Sequence, residues 1–383
     1  MRVVCAPDSF KHSLSAAQAA AAMARGVREA HPDAEAVEVP LSDGGEGFTD
    51  AIADALGARI VEVGVLDALG RPATGRLALA GDLAAFEVAT AVGLEMIADD
   101  ERAIMAADTR GVGQLILAAL DAGARRFVIG LGGSATNDGG AGMLSVLGVR
   151  FLDAAGEPVA TTPSGLEGVV RVDASGLDAR LAGAQVRVAC DVDNPLLGVR
   201  GASAIFGPQK GATPDLVPHL DGILARLVEV TGTGAVAETP GAGAAGGLGW
   251  AMLAYLGAQL VPGIRLVCDT VGLAATVAGA DLVLSGEGSI DSQTLFGQDA
   301  RGRGRGGARP RRPGGAVRRA CRPGRRRAAG PGRPGHRVHH PGGNAAGPGA
   351  GSGVRQPADG GRELPGLSAA HRCRCGGRRA RER

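Results

Sequence analysis

The apolar run Phe127-Val128-Ile129 leads directly into Gly130-Leu131-Gly132-Gly133-Ser134-Ala135-Thr136-Asn137-Asp138-Gly139-Gly140-Ala141-Gly142, and that into Met143-Leu144-Ser145-Val146-Leu147. Strand, glycine-rich turn and helix in this order commit the segment to an α/β unit. The geometry aims backbone N–H groups and a helix N-terminus at one point, as anion binding requires. Ser134, Thr136 and Asn137 add neutral hydrogen-bonding groups, and Asp138 a carboxylate able to hold a metal ion. The alternative is a structural turn, because tight turns use glycine for backbone reasons alone.

The surrounding chain repeats this strand-to-helix order. Strands are expected at 2–6, 35–39, 59–63, 76–80, 84–88, 127–131, 185–189 and 281–285. Helices are expected at 15–30, 49–56, 109–122, 215–230 and about 270–278. Ser15 with Gln18 forms a capping box at the first helix, and Pro32 follows its end. Alternating strands and helices predict α/β architecture with mostly parallel sheets flanked by helices. In such sheets ligands gather at the carboxyl ends of strands, and the polar, glycine-rich loops leave strands in that sense.

Charge divides the chain near residue 298. Residues 301–383 contain 22 Arg, no Lys and 3 acidic residues, whereas residues 1–300 carry 19 basic and 36 acidic side chains. The overall charge of +2 therefore describes neither part. Gly, Ala, Pro and Arg fill 64 of the 83 tail positions, which leaves almost nothing to build a core. One reading is a disordered basic arm that binds nucleic acid. The other is an out-of-frame translation of a GC-rich gene, favoured by the abrupt end of ordered patterning at Leu295-Phe296-Gly297. Cys373 and Cys375, with His371 nearby, then read as accidents of frame.

The acidic body argues against nucleic acid as the natural partner. Cys5, Cys190 and Cys268 are isolated in apolar segments, which fits a reducing cytoplasm rather than a disulfide framework. No leader-like segment precedes the first strand, and no apolar run reaches transmembrane length. The first 300 residues hold only two lysines, Lys11 and Lys210, both in strand-terminal loops. A compact ammonium suits a transferred phosphoryl group. Asp8, Asp43, Glu46, Asp138, Asp191, Asp193, Glu287 and Asp291 occupy similar loops. Phosphoryl transfer needs some of these for Mg2+ and one to accept a hydroxyl proton, while turns and caps claim the others.

Seven segments together resemble the type 1 glycerate kinase family: APDSFKHSLSA at 6–16, PLSDGGEG at 40–47, GLGGSATNDGGAGML at 130–144, ACDVDNPLLG at 189–198, FGPQKGA at 206–212, GAGAAGGLG at 241–249 and LSGEGSIDSQT at 284–294. The resemblance implies ATP-dependent phosphorylation of D-glycerate to 2-phosphoglycerate, or in some members 3-phosphoglycerate. It also implies two α/β domains with the active site in the cleft between them. The corresponding division is 1–85 plus 286–300 for the terminal domain, 86–285 for the middle domain and 301–383 for the tail.

Carried over position by position, the resemblance supports Asp8, Ser9, Lys11, Asp43 to Glu46, Ser134 to Asp138, Asp191, Asn194, Lys210, Glu287 and Asp291. We assign Lys11, Asp43 and Asp191 to catalysis, with Asp191 as the base. ATP falls to Gly132, Gly133, Ser134, Thr136, Asn137, Gly139, Gly140 and Lys210. Glycerate falls to Asp8, Ser9, Asn194, Glu287 and Asp291, and Mg2+ to Asp43, Glu46 and Asp191. Neither a membrane nor a nucleic-acid partner is expected, and the oligomeric state is not legible.

Two departures from the family pattern stand out. Position 12 is His where the family usually has Gly. From Gly297 the chain reads GQDARGRG where the pattern would read GKTPAGVA, a change that one inserted base after the Gly297 codon produces. An end lost in this way predicts an unstable or inactive product, a remnant that still encodes the kinase site.

Overall fold

The computed structural model describes residues 1–10, 13–45 and 47–286. Residues 287–383, including the expected 286–300 segment beyond its first residue and the Arg-rich tail, lie outside the described residues.

Among the described residues, three parallel strands form the smaller sheet. β1 (Arg2–Cys5) lies in the middle, with β2 (Glu35–Glu38) on one side. The last strand among the described residues, β11 (Leu282–Leu284), lies on the other. The helix Ala16–Ala30 makes the crossover from β1 to β2. Its capping box is present as expected: Gln18 N donates to Ser15 Oγ, and Ser15 N donates to Gln18 Oε1. Ala16, Ala19, Ala20, Ala24 and Val27 are buried on one stripe, the helical spacing that a core-facing helix needs. Val3, Val4 and Cys5 are wholly inaccessible.

The larger sheet has six strands: β3 (Arg59–Leu66), β4 (Pro72–Ala80), β5 (Leu83–Glu87), β6 (Arg126–Gly130), β9 (Gln185–Ala189) and β10 (Gln259–Val261). In space they run β10-β9-β6-β5-β4-β3. The β3–β4 and β4–β5 pairs are antiparallel, and the rest are parallel. A separate antiparallel pair, β7 (Arg150–Leu152) with β8 (Arg171–Asp173), completes the set. The expected division at 85/86 runs through β5, which pairs with β6 from Leu83↔Arg126 to Glu87↔Gly130. Likewise β11, which ends before the expected boundary at 285/286, pairs with β1.

Strand alternation decides the packing of β6. Phe127 and Ile129 face one core with the helix Arg110–Asp121, through Val112, Leu115, Ile116 and Ala119. Val128 faces another core, with Phe48 and Ile52 of the helix Phe48–Leu56 and Leu266 and Val267 of the helix Gly263–Thr270. Each such apolar side chain contributes about 1.5–3 kcal/mol on full burial. A strand covered on both faces reads as a continuous apolar run, as 127–129 does.

The expected elements recur, most with shifted ends, and the helix expected near 270–278 is the short Leu273–Val277. There Gly272, at φ 67°, separates the helices Gly263–Thr270 and Leu273–Val277. Among the described residues, no helix is long and apolar enough to cross a membrane.

Candidate active site

Among the described residues, the carboxyl ends of β1, β2, β6, β9, β10 and β11 run into adjoining loops. β1 enters the turn at Asp8, whose N–H bonds Gly286 O at 2.8 Å, and Pro7 O accepts from Leu41 N beyond β2 at 2.9 Å. In the larger sheet, Leu131 N beyond β6 bonds Ala189 O at 3.3 Å, and Cys190 N beyond β9 bonds Val261 O at 3.0 Å. The two sets of loops are in direct backbone contact. A Cβ added at Gly130 would lie 2.7 Å from Gly44 O, and one at Gly263 would lie 1.8 Å from Asp43 O and 2.8 Å from Asp191 Oδ2. Glycine at these two positions lets the Asp43 turn rest on the ends of β6 and β10.

Asp43 through its backbone carbonyl and Asp191 through its carboxylate therefore flank Gly263, and both residues are exposed. Asp43 Oδ1 accepts from Gly45 N at 3.1 Å. Asp191 Oδ1 accepts from Gly263 N, the first amide of the helix Gly263–Thr270, at 3.0 Å. Partial burial pushes the Asp191 carboxyl up, the Gly263 hydrogen bond opposes this, and the nearby Asp43 charge adds to it. The two exposed carboxylates lie near enough for the Asp43 charge to act on Asp191, and carboxylate oxygens suit a hard divalent cation. Mg2+ typically takes one or two protein carboxylates, completing its shell with phosphates and water. Among the described residues no three acidic, His or Cys side chains form a cage for a metal ion.

Asp8 and Ser9 lie on the β1 turn beside the Asp43 segment, with Ser9 N donating to Asp8 Oδ1 at 2.6 Å. Asn194 turns back on its own loop: Nδ2 donates to Arg200 O at 2.8 Å, and its carbonyl accepts from Gly241 N and Gly243 N. Lys11, Glu46, Glu287 and Asp291 lie outside the described residues.

The glycine-rich turn after β6 differs from its sequence reading. Gly132 and Gly133 are exposed, but Ser134, Thr136, Asn137, Asp138, Gly139 and Gly140 are buried. Two amides of the turn, Gly140 N and Gly142 N, already meet a carboxylate inside the protein. Asp138 Oδ1 accepts from Gly140 N at 3.1 Å, and Oδ2 accepts from Gly142 N, Thr109 N and Thr109 Oγ1 at 2.9, 2.9 and 2.7 Å. The Asp138 carboxylate closes the start of the helix Ala141–Val146. Burial raises it to about 6, helped by the Asp108 charge and opposed by those hydrogen bonds.

Lys210 is likewise interior. It reaches from the turn Pro208–Lys210 to donate Nζ to Ser134 Oγ at 3.0 Å and Thr136 O at 2.7 Å. Burial lowers its ammonium to about 7, against the pull of Asp138. Asn137 Nδ2 donates to Ser203 Oγ at 3.0 Å. Ser134, Asn137 and Asp138 thus bond partners in the interior, Thr136 Oγ1 and Asn137 Oδ1 are buried with no hydrogen-bond partner among the described residues, and Gly132 and Gly133 are the exposed part of the turn.

Three groups at this site were missed in the sequence. Glu87 ends β5 and accepts from Phe48 N at 3.0 Å; a carboxylate closing an apolar strand was its only signal. Gly263 follows Pro262 after the short segment Ala258-Gln259-Leu260-Val261, a strand-to-helix signal too brief to register. Thr109, read as a helix start, holds Asp138.

The model of the glycerate kinase family matches residues 3–302. A glycerate kinase of Bacillus subtilis is 48% identical over 303 residues, spanning 78% of this chain and 79% of the relative. The glycerate 2-kinase of Escherichia coli is 45% identical over 303 residues, with 78% and 80% covered. A solved structure described as a glycerate kinase 2 from Salmonella typhimurium LT2 superposes with a TM-score of 0.75 at 48% identity, covering 78% of this chain and 81% of its own.

Proposed function

The chain belongs to the glycerate kinase family, and from this we infer that it transfers the γ-phosphoryl group of ATP to a hydroxyl of D-glycerate, giving 2-phosphoglycerate or 3-phosphoglycerate. The observation that carries the reading is the meeting of Asp43, Asp191 and the exposed Gly132–Gly133 turn at the carboxyl ends of parallel strands. Phosphoryl transfer asks a protein mainly for positioning and charge stabilisation, and these loops offer both.

In this reading Gly132 and Gly133 line the phosphates, and Lys11 offsets their charge. Mg2+ would be held by Asp43, Asp191 and Glu46, where it neutralises phosphate oxygens. Asp191 accepts the proton of the attacking hydroxyl; its raised affinity for protons suits a base. Asp8, Ser9, Asn194, Glu287 and Asp291 orient glycerate. The division into a terminal part, 1–85 with 286–300, and a middle part, 86–285, remains the proposed domain plan, with the cytoplasm as the proposed location.

The test is ATP-dependent glycerate phosphorylation by the purified full-length protein, comparing wild type with Asp191→Asn. Loss of kcat far exceeding any change in KM supports the base; equal loss of both, or none, removes it. One observation favours a second reading, an inactive remnant: the family match stops at residue 302, and the aligned part spans 79–80% of the relatives above. Absent turnover with retained ATP binding supports that reading.

A further inference from the structure

Glu87 stands at the end of β5, opposite Gly130 in the register of β6. Its carboxylate crosses to the start of the helix Phe48–Leu56, where Oε2 accepts from Phe48 N at 3.0 Å, and its own N–H donates to Thr49 Oγ1 at 3.2 Å. The helix needs this help, because its N-cap is Gly47, which has no side chain to close it. Phe48 N is shared with Gly45 O at 3.1 Å, and Gly45 N in turn donates to Asp43 Oδ1. A continuous chain of hydrogen bonds thus runs from the end of β5 to the Asp43 carboxylate. Gly44 O meanwhile rests on Gly130, the residue paired with Glu87.

We propose that Glu87 is a positioning residue: it caps the helix Phe48–Leu56 from the neighbouring sheet and thereby fixes the Asp43 turn over the carboxyl end of β6. The link to catalysis rests on the kinase reading above; the link to the turn does not. The Glu87 carboxylate shares the Phe48 N–H with Gly45 O and meets the favourable end of the helix dipole. Here it also spans 39 residues of sequence, so it sets tertiary geometry as well as a helix end.

A second contact on the same helix supplies the control. Asp50 forms a two-pronged pair with Arg76 of β4, at 2.8 and 3.1 Å, with both side chains partly exposed. Removing Asp50 weakens the helix's attachment without touching Phe48 N.

The experiment compares wild type, Glu87→Ala, Glu87→Gln and Asp50→Ala in the full chain. Amide exchange over residues 41–49 is followed by mass spectrometry, and glycerate kinetics are run in parallel. Glu87→Ala is expected to speed exchange in that segment about tenfold. It should also lower kcat about tenfold or more at nearly unchanged KM, with Glu87→Gln recovering most of both through its remaining amide oxygen. Asp50→Ala should leave both near wild type. Unchanged exchange in Glu87→Ala, or equal acceleration in Asp50→Ala, overturns the proposal. If the wild type turns over no glycerate, the kinase reading falls for this chain, and the exchange comparison still decides the role of Glu87.

Discussion

Lys210 and Ser134 are joined inside the protein, Nζ to Oγ at 3.0 Å, with Lys210 only 3% exposed. This places one of the chain's two lysines where it cannot meet a ligand at the surface without the turn opening. Brief acetylation of the native protein, read by peptide mass spectrometry, should leave Lys210 largely unmodified. The same treatment in denaturant should modify it fully. Rapid native labelling that ATP suppresses would instead return Lys210 to the nucleotide.

Stability should carry a signature of this burial. The Lys210 ammonium falls from 10.5 to about 7 on folding. Between those values the unfolded chain binds a proton that the folded one does not, so stability rises with pH and is lost as pH falls through about 7. Asp138 moves the other way, from 3.8 to about 6. Its contribution is full below 3.8 and is lost as pH rises through about 6. Urea unfolding at a series of pH values should therefore show the Lys210→Met difference changing between pH 7 and 10 and the Asp138→Asn difference between pH 4 and 6. Each slope is at most about 1.4 kcal/mol per pH unit. Variants whose curves merely parallel wild type contradict the assignment.

Thr109 gives a sharper test of the Asp138 knot. Its hydroxyl donates to Asp138 Oδ2 at 2.7 Å and accepts from Met143 N at 2.9 Å, all in the interior. Thr109→Val keeps the shape, leaves Met143 N without its acceptor and removes one of three hydrogen bonds to Asp138 Oδ2. It should cost about 1–3 kcal/mol, the range for one buried unsatisfied group. Thr109→Ser, which keeps the hydroxyl, should lose only about 1 kcal/mol of methyl burial. The midpoint of urea unfolding at constant slope measures both, and equal losses would mean that packing, not hydrogen bonding, holds the knot.

What the sequence discloses and what it hides follow from the range of the forces. The capping box at Ser15 and Gln18 is a contact across three positions and is legible without the fold. The double burial of 127–129 shows as an unbroken apolar run. By contrast, Lys210 meets Ser134 across 76 residues and Glu87 meets Phe48 across 39. No local pattern says whether such side chains turn to solvent or to one another. The polar string Ser134-Ala135-Thr136-Asn137-Asp138 reads as a ligand cradle because its composition is right. The structure turns it inward because Thr109, Ser203 and Lys210 supply partners from three other segments. β10 was missed because three residues are too few to establish a period.

Gly263 offers the last prediction, with its own internal control. An alanine Cβ there would lie 1.8 Å from Asp43 O and 2.8 Å from Asp191 Oδ2, closer than any real contact. Something must therefore shift, and the nearer atom is backbone. Gly263→Ala should push the Asp43 turn off the end of β10 and break the Gly263 N–H bond to Asp191. A cost of about 1–3 kcal/mol is typical of such overpacking, and exchange at 41–45 should speed up with it. Gly26, in the helix Ala16–Ala30, has nothing within 4 Å of an added Cβ. There the same substitution removes only backbone freedom, so Gly26→Ala should stabilise by about 0.5–1 kcal/mol. Urea unfolding separates the two. A neutral Gly263→Ala would mean that the Asp43 and Asp191 loops do not meet over Gly263, and the two-carboxylate site would lose its geometric basis.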